Sequence, residues 1–400
     1  MEKLDPPFLI SWNLTTRCNL KCRHCYIDSD DASGTDAIST ATALRITNEI
    51  ASLNNNAMLI LTGGEPLLRP DIFDIASHAS NLGLGVVIGT NGAFIDNTTA
   101  RKLANCRVKG VGISLDSASP GFHDTFRGVC GSWQNAVTAM ARLRAHSIDF
   151  QVQFTVTKEN LHEIRRVAEL SANAGARALN IFFLVCTGRG RAITDITPDE
   201  YEATLEEIVR VAEEFTGKII VRPRCAPHFL RVASKYGNEL SGGSSGCVAG
   251  TSYLRITADG LVTPCPYIQP DINSPSLHRF SLPEIWSTSP VFKMLRSQSP
   301  EGRCNRCEWK VSCGGCRARA LASSGNIMAE DPLCSYVPSE NPREKQPPPA
   351  WTSEALSRLE KVPQFLRPMI KTGIEKYALA KGLCKITPEL MTSLRHKAGK

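Results

Sequence analysis

Three cysteines lie within eight residues near the start of the sequence, in the spacing C-x3-C-x2-C: Cys18, Cys22 and Cys25. Thiolates are soft ligands that suit iron–sulfur clusters, and three of them can hold a four-iron cluster while one iron stays open. A structural zinc site usually closes with four protein ligands. The spacing therefore predicts a four-iron cluster (4Fe-4S) whose open iron can bind a small ligand. The alternative is that these are ordinary buried cysteines.

A second group of cysteines lies further along the chain, between residues 247 and 334. A zinc ribbon needs four cysteines, and this group has more than four. Its members are Cys247, Cys265, Cys304, Cys307, Cys313, Cys316 and Cys334. Glycines surround it, as tight turns around an inorganic core require. The group predicts further metal clusters. Of the remaining cysteines, Cys106, Cys130 and Cys186 are predicted to be small core residues, and Cys384 lies in the tail.

The composition places these cysteines in a reducing compartment. Of 400 residues, 42% are hydrophobic and 21% charged, as in an ordinary soluble globular protein. No apolar run is long enough to span a membrane, and no signal peptide is evident, so we expect a cytoplasmic protein. Fifteen cysteines there favour metal clusters over disulfides. The net charge of +7 is spread without a dense basic run, which argues against nucleic-acid binding.

Alternating apolar runs and amphipathic segments surround the first cysteine group. Asn160 and Glu163 are predicted to cap one helix, and Tyr201 to Phe215 lie at helical spacing along another. Strands that alternate with helices predict an α/β fold with a parallel sheet, open or closed into a barrel, whose chemistry gathers at the carboxyl ends of the strands. The predicted strands are Phe8–Trp12, Met58–Leu61, Gly85–Ile88, Val111–Leu115, Phe150–Phe154 and Leu179–Phe183.

The cysteine loop after the first predicted strand resembles the defining loop of the radical S-adenosylmethionine (SAM) family. Thr62-Gly63-Gly64-Glu65-Pro66, after the second strand, resembles the motif of that family that holds the SAM amino group. The resemblance implies a partial (β/α)6 radical SAM barrel over residues 4–222, in which SAM binds the open iron and is cleaved to methionine and a 5′-deoxyadenosyl radical. The residues implied to contact SAM are His24, Gly63, Gly64, Glu65, Pro66, Asn91 and Ser114.

The second cysteine group resembles the SPASM extension of radical SAM enzymes, which implies a domain over residues 223–340 with one or two auxiliary clusters. The family usually has three residues, not two, between the positions of Cys313 and Cys316. The resemblance assigns Cys304, Cys307, Cys313 and Cys334 to one cluster. It assigns Cys247, Cys265 and Cys316 to the other, for which Cys225 is the candidate fourth ligand; otherwise that iron is open.

The tail contains a proline-rich linker, residues 341–349, and a predicted three-helix unit over residues 350–396. Thr352 is predicted to cap its first helix, Gly382 to end the second, and Thr387-Pro388 to begin the third. The unit resembles the C-terminal domain of the light-independent protochlorophyllide reductase B subunit, which sits beside a tetrapyrrole. The alternative is a docking or solubility module. Phe365, Leu366 and neighbouring apolar residues exceed what the unit is expected to bury by itself.

Within the family, the cysteine motifs and the tail resemble enzymes of the alternative heme pathway. This implies removal of hydrogen from a propionate of an iron-porphyrin and loss of carbon dioxide, with flavodoxin or ferredoxin as electron donor. Arg189 and Arg191 are candidates to hold propionates. His123-Asp124-x2-Arg127 begins either a surface helix with a salt bridge or a substrate-facing segment. A peptide maturase is the rival enzyme, although only seventeen residues precede Cys18, fewer than a leader-binding domain needs. An electron-transfer scaffold is the non-enzymatic alternative.

Overall fold

The computed structural model describes residues 4–31, 36–193, 196–236, 246–338, 349–362, 367–380 and 383–398. It contains two compact units, Met1–Val337 and Pro338–Lys400. The predicted linker lies almost entirely outside the described residues, as do Phe365, Leu366 and Gly382. No helix in the described ranges is long and apolar enough to cross a membrane.

The first unit is built around a nine-stranded sheet, which confirms the α/β prediction. The strands of this unit are β1 (Leu9–Asn13), β2 (Arg17–Cys18), β3 (Asp30–Asp31), β4 (Met58–Thr62), β5 (Gly85–Thr90), β6 (Gly110–Ser114), β7 (Phe150–Val156), β8 (Ala178–Phe183), β9 (Ile220–Arg224), β10 (Tyr253–Ile256) and β11 (Val262–Thr263). The sheet order is β11-β10-β1-β4-β5-β6-β7-β8-β9, and β2 pairs separately with β3. All pairs are parallel except β10 with β11.

The six strands predicted from apolar runs are present in the sheet, and β9, β10 and β11 were not predicted. β10 and β11 lie in the cysteine-rich part of the sequence, yet β10 pairs with β1, so that part of the chain extends the sheet. β9 was missed because two arginines interrupt its short apolar run, Ile220 to Arg224. Polar side chains on alternate positions remove the signal by which a buried strand is recognised.

The first unit also contains α-helices, several of which pack on one face of the sheet. They are α1 (Thr40–Leu53), α2 (Ile72–Asn81), α3 (Asn97–Asn105), α4 (Pro120–Arg127), α5 (Ser132–Ala145), α6 (Ile164–Ala174), α7 (Pro198–Glu214), α8 (Phe229–Lys235), α9 (Leu282–Thr288), α10 (Pro290–Ser297), α11 (Gly302–Arg306) and α12 (Arg317–Ser324). In β7, Val152 and Phe154 are buried toward this core, whereas Gln151 and Gln153 on the opposite side are half-buried. The sheet therefore has a face that is polar as well as one that packs on helices.

The predicted face of α7 is buried, and Thr197 with Glu200 forms a capping box at its start. The predicted cap of α6 is wrong. The Asn160 amide instead donates to the Asp116 carbonyl at 2.9 Å, and the Glu163 carboxylate accepts from the Ala118 amide at 2.8 Å. Both side chains are therefore occupied by backbone groups of the loop after β6 and are not free to cap the helix.

The cysteines outside the two groups differ from one another. Cys106 is buried, as predicted, whereas Cys186 is half-buried and Cys130 is exposed. Cys130 was wrongly placed in the core because it lies in the short turn between α4 and α5, between Gly128 and Gly131. A turn between two surface helices leaves its side chains in solvent.

The second unit contains the strands β12 (Ala350–Trp351) and β13 (Lys385–Ile386) and the helices α13 (Ser353–Glu360), α14 (Arg367–Ala380) and α15 (Pro388–Ala398). Thr352 caps α13, as predicted, by accepting from the Ala355 amide. The three helices share one small apolar cluster, formed by Ala355, Leu359, Ile374, Ala378, Ile386 and Met391. The unit therefore has a core of its own.

Candidate cofactor site

The loop with the first three cysteines follows β1, and each of its thiols accepts a hydrogen bond. The donors are the Leu20 amide to Cys18 at 3.4 Å, the Ser29 amide to Cys25 at 3.5 Å, and Arg127 Nη1 to Cys22 at 3.6 Å. Donors aimed at sulfur suit thiolate ligands. Burial raises the pKa of Cys18 to about 11, so its thiolate needs a metal to form at neutral pH. The donor set fits an iron–sulfur cluster.

Arg127 lies at the end of α4 and is buried, so the expected surface salt bridge is wrong for this residue, while a substrate-facing role of the motif stays a prediction. It is buried, and its Nη2 lies 2.6 Å from the carboxylate of Asp116, a fully buried residue. His123 is buried too, and its Nδ1 accepts from the Asp116 amide at 3.1 Å. Asp124 instead accepts from the first amides of α5, including Trp133 at 2.8 Å. The motif supports the cysteine loop from behind.

His24 stacks on Phe126, with ring centroids 4.5 Å apart and planes 7° from parallel. Burial lowers the pKa of His24 to about 4, so the ring is neutral at pH 7. Its Nδ1 is buried without a hydrogen-bond partner in the described structure. One face of the imidazole is therefore covered by protein, and the predicted contact with adenine stays a prediction.

Gly63 and Gly64 pass close to the cysteine loop. A Cβ on Gly64 would lie 2.1 Å from the Arg17 carbonyl oxygen, and the Gly64 amide donates to the Thr15 carbonyl at 2.8 Å. Within the described residues, nothing donates to the carbonyls of Gly63 and Gly64, so both remain available to an amino group. This arrangement supports the predicted role in binding the SAM amino group.

The carboxylate of Glu65 is buried and occupied by the protein itself. It accepts from the Thr90 hydroxyl at 2.8 Å, the Asn91 amide at 2.9 Å and the Leu67 amide at 3.1 Å. Burial raises the pKa of Glu65 to about 7. Pro66, also buried, begins a single 3₁₀ turn. Glu65 therefore joins the ends of β4 and β5, and its side chain shapes the site from behind.

Asn91 and Ser114 lie at the carboxyl ends of β5 and β6. The Asn91 amide group donates to Asn19 in the cysteine loop at 2.8 Å. Ser114 is half-buried and faces the same side of the sheet as Gln153 and Asn180, which follow it in register on β7 and β8. The structure thus brings the predicted SAM-contacting residues to one edge of the sheet.

The loop of residues 187–191 packs against the cysteine loop. A Cβ on Gly188, whose φ is +56°, would lie 2.4 Å from the Cys25 carbonyl oxygen. Arg189 donates from Nε to the Cys22 carbonyl at 2.9 Å and pairs with Asp28 at 2.8 Å. The guanidinium of Arg189 is therefore engaged by the cysteine loop, whereas Arg191 is exposed, and the role of either residue in binding a propionate stays a prediction.

The later cysteines fall into two groups. Burial raises the pKa of Cys265 well above its usual value, and the thiols of Cys225, Cys316 and Cys247 raise it further. Burial also raises the pKa of Cys313 to about 12, with smaller increases from the nearby thiols of Cys334 and Cys304. Cys307 lies beside Cys304 and, like Cys313, accepts a backbone amide at its sulfur, from Trp309 at 3.4 Å. These mutual influences support the grouping that the resemblance implies, and the assignment of the cluster ligands stays a prediction.

One buried ion pair fixes two members of the first of these groups. Arg319 pairs with Asp331 at 2.9 Å and donates to the Cys225 carbonyl at 2.8 Å, while Asp331 accepts from the Cys316 amide at 2.6 Å. Burial opposes ionisation of Asp331, but the charge of Arg319, the nearby His228 and the hydrogen bonds from Arg319 and the Cys316 amide together lower the pKa of Asp331 to about 2. Cys225 has a φ of +55°, a strained conformation for a residue with a Cβ. Such strain persists only where surrounding contacts hold it.

No three His, Cys, Asp or Glu side chains in the described ranges are arranged for a single metal ion. A four-iron cluster distributes its thiolate ligands over several irons.

Known proteins carry the same sequence features. Three family models match: the radical SAM superfamily over residues 12–171, an iron–sulfur cluster-binding SPASM domain over residues 247–308, and the proto-chlorophyllide reductase 57 kD subunit over residues 351–395. The chain is 37% identical to an AdoMet-dependent heme synthase of Methanosarcina barkeri over 84% of this chain and 98% of that protein. The chain belongs to the radical SAM/SPASM enzymes, the family of the AdoMet-dependent heme synthases.

Other similar proteins share less of the sequence. The mycofactocin maturase MftC of Mycobacterium ulcerans is 30% identical over 83% of this chain and 88% of its own length. The crystal structure of Streptococcus suis SuiB bound to S-adenosylmethionine has a TM-score of 0.68, 16% identity, and coverage of 83% of this chain and 78% of SuiB. At that identity the likeness shows a shared fold. As a radical SAM/SPASM enzyme, the protein uses SAM and iron–sulfur clusters.

Sequence reasoning missed the buried ion pairs beside the cysteines. Arg127 and Arg319 are buried, and each pairs with a buried aspartate of another loop. The sequence offered only proximity to a motif, since Arg319 lies three residues after Cys316. From the sequence alone a charged residue is predicted to lie on the surface, because charged residues are rarely buried unless they are paired.

Proposed function

We propose that this enzyme modifies propionate side chains of an iron-porphyrin by oxidative decarboxylation. The observation that carries the proposal is the 37% identity to a heme synthase along nearly that protein's whole length, against 30% for a maturase. In this reaction the propionate loses one hydrogen atom from its β-carbon and carbon dioxide from its carboxyl group, so that a vinyl group forms. One electron is left for an acceptor.

The chain's cysteines are proposed to hold three clusters. Cys18, Cys22 and Cys25 would hold the radical cluster, and the two later groups, each of four thiols, would hold the auxiliary clusters: Cys304, Cys307, Cys313 and Cys334, and Cys225, Cys247, Cys265 and Cys316. When bound, the first cluster supplies the electron that cleaves SAM, and an auxiliary cluster can accept the surplus electron. The strained backbone of Cys225, held by Arg319, supports its role as the fourth ligand.

The protein's own part is to bind SAM and to aim the substrate. The free carbonyls of Gly63 and Gly64 would accept the SAM amino group, with Ser114 and Asn91 beside them and His24 toward the adenine. Glu65 and Pro66 hold the turn. We propose residues 4–222 as the radical SAM core, residues 223–340 as the SPASM domain and residues 350–396 as a separate helical domain. A flavodoxin or ferredoxin is proposed as electron donor, in the cytoplasm.

The test is an anaerobic reaction of the reconstituted enzyme with SAM, a reductant and iron-coproporphyrin III, analysed by mass spectrometry. We expect 5′-deoxyadenosine together with porphyrin products in which propionates have become vinyl groups. Cys22→Ala is the control that should yield neither. SAM cleavage with the porphyrin left unchanged would contradict the proposal and favour a different substrate, such as a peptide.

A further inference from the structure

We propose that Arg222 and Arg224 form a binding site for a carboxylate of the substrate on the polar face of the sheet. The two arginines lie two residues apart on β9, so both side chains point to the same face. Both are half-buried. That the carboxylate belongs to a porphyrin propionate rests on the proposed function.

Neutral amides hold this arginine pair. Arg222 Nε donates to Asn180 Oδ1 at 2.8 Å, and Arg224 Nε donates to the same oxygen at 3.2 Å. Asn180 Nδ2 in turn donates to Gln151 Oε1 at 2.6 Å. The same Gln151 oxygen accepts from Arg222 Nη2 at 3.4 Å. The Nε atom of each arginine is therefore held by Asn180. Among the described residues, Gln151 contacts one terminal nitrogen of Arg222, and the other terminal nitrogens of the two arginines can donate to a ligand.

The pair has no carboxylate partner in the described part of the chain. Both guanidinium groups are half-buried, and among the described residues they donate to the amide oxygens of Asn180 and Gln151, which are neutral. By contrast, the buried Arg127 and Arg319 each pair with an aspartate. Two adjacent cations withdrawn from water without an anion are unfavourable, so an anionic ligand would stabilise them.

A third arginine on the same face adds to the positive charge. Arg255 on β10 is in register with Ser11 on β1, it is buried, and its Nε has no hydrogen-bond partner in the described structure. Its Nη1 donates to the Pro266 carbonyl at 2.6 Å, and the guanidinium lies over the ring of Tyr26 at 5.5 Å. No carboxylate in the described ranges forms an ion pair with it. The polar face thus favours a ligand with more than one carboxylate.

The position of the pair suits a substrate between the radical source and the auxiliary clusters. Ser114, Gln153, Asn180 and Arg222 form one row across β6, β7, β8 and β9. Arg224 directly precedes Cys225. A carboxylate bound by both guanidinium groups would lie on the polar face of the sheet. Ser114, the proposed SAM contact, lies at one end of this row, and Cys225, the proposed cluster ligand, lies near the other end. Guanidinium groups bind carboxylates through paired hydrogen bonds.

The test compares two probes, iron-coproporphyrin III with its four carboxylates and the tetramethyl ester of the same porphyrin. Each is titrated anaerobically into the reconstituted enzyme and followed by difference spectra of the Soret band. Arg222→Gln and Arg224→Gln place an amide nitrogen at the position of Nε, so the contact with Asn180 can be kept while the terminal nitrogens and the charge are removed. Arg177→Gln is the matched control, since Arg177 precedes β8 at the opposite edge and forms an exposed pair with Asp149. Iron content and circular dichroism of every variant must equal those of the wild type.

We expect the wild type to bind the tetracarboxylate more tightly than the ester. Each glutamine variant should raise the Kd for the tetracarboxylate about ten- to hundredfold, with the Kd for the ester unchanged. Arg222→Lys and Arg224→Lys should give intermediate values, because lysine keeps the charge without the fork. The affinity for SAM, measured separately by equilibrium binding, should not change.

Three results would overturn the inference. The first is a glutamine variant that binds the tetracarboxylate as tightly as the wild type. The second is loss of SAM affinity with porphyrin binding intact, which would assign the arginines to the SAM carboxylate. The third is an equal rise in the Kd for both porphyrins in the glutamine and lysine variants, which would mean that the positive charge is not what binds the porphyrin. A wild type that binds neither porphyrin would instead refute the proposed function, and with it the substrate named here.

Discussion

Arg127 donates a hydrogen bond to the sulfur of Cys22 at 3.6 Å while its other terminal nitrogen lies 2.6 Å from the carboxylate of Asp116. A residue of the first cysteine loop is thereby joined to the loop after β6. Because Asp116 also accepts from the Thr155 amide at 2.9 Å, the contact continues to β7. The support of the radical SAM site is therefore a charged pair inside the protein.

Arg127→Met should be strongly destabilising, because it leaves the Asp116 carboxylate buried without its cation. We expect the free energy of unfolding to fall by about 3 to 5 kcal/mol, measured by urea denaturation followed by circular dichroism. The double variant Arg127→Met/Asp116→Asn should recover part of the loss. Arg177→Met, which breaks an exposed pair, should cost less than about 1 kcal/mol. An Arg127 variant as stable as the Arg177 variant would contradict the proposed importance of the pair.

Cys22→Ala should abolish release of 5′-deoxyadenosine, because a three-cysteine cluster has no spare ligand. Iron should fall from roughly twelve atoms per chain to roughly eight, as measured by colorimetric assay after anaerobic reconstitution. The exposed Cys130 provides the control, and Cys130→Ala should keep both the iron and the cleavage. Continued cleavage by the Cys22 variant would remove the basis of the assignment.

Cys225→Ala tests the fourth ligand of one auxiliary cluster. We expect the electron paramagnetic resonance signal of that cluster to change or disappear, while SAM cleavage without substrate is retained. Cys106→Ala, at a buried cysteine outside both later groups, should leave the signal unaltered. Identical spectra for the two variants would make Cys225 a core residue and leave that cluster with three cysteines.

Gly64→Ala should disrupt the turn beside the cysteine loop, because the added Cβ would lie 2.1 Å from the Arg17 carbonyl oxygen. Forced overpacking of this kind costs about 1 to 3 kcal/mol, and here the backbone that must move carries Cys18. We expect SAM affinity and cleavage to drop at least tenfold, about the factor that 1.4 kcal/mol corresponds to, with auxiliary iron unchanged. Gly121→Ala, whose Cβ would meet nothing within 4 Å, should behave as the wild type.

Asp331→Ala should uncouple the segments of Cys225 and Cys316. It leaves Arg319 buried without its anion, for which we expect a loss of about 3 to 5 kcal/mol together with loss of auxiliary iron. Asp149→Ala is the control, since Asp149 forms an exposed pair with Arg177 and should contribute less than about 1 kcal/mol. Full auxiliary iron in the Asp331 variant would show that the ion pair does not position the cysteines.

Local patterns in the sequence determined the α/β class, six strands of the sheet and the cysteine groups. Apolar runs of strand length and thiols at cluster spacing show their chemistry within a few residues, so Cys18 to Cys25 predicted a cluster, whereas the role predicted for Gly63 to Pro66 came from the resemblance to a known family. The confirmed cap at Thr352 is equally local.

Only the tertiary structure decided where the charged side chains lie. Arg189 was expected at the substrate but donates to the Cys22 carbonyl. Arg222 and Arg224 lie on the polar face of the sheet because β9 pairs with β8, which the sequence did not predict. The role of a long polar side chain depends on the partner that the fold brings next to it. For Arg127 and Asp116, or Arg319 and Asp331, that partner lies 11 or 12 residues away and inside the protein. Burial and pairing between segments are properties of the folded chain, and no local spacing encodes them.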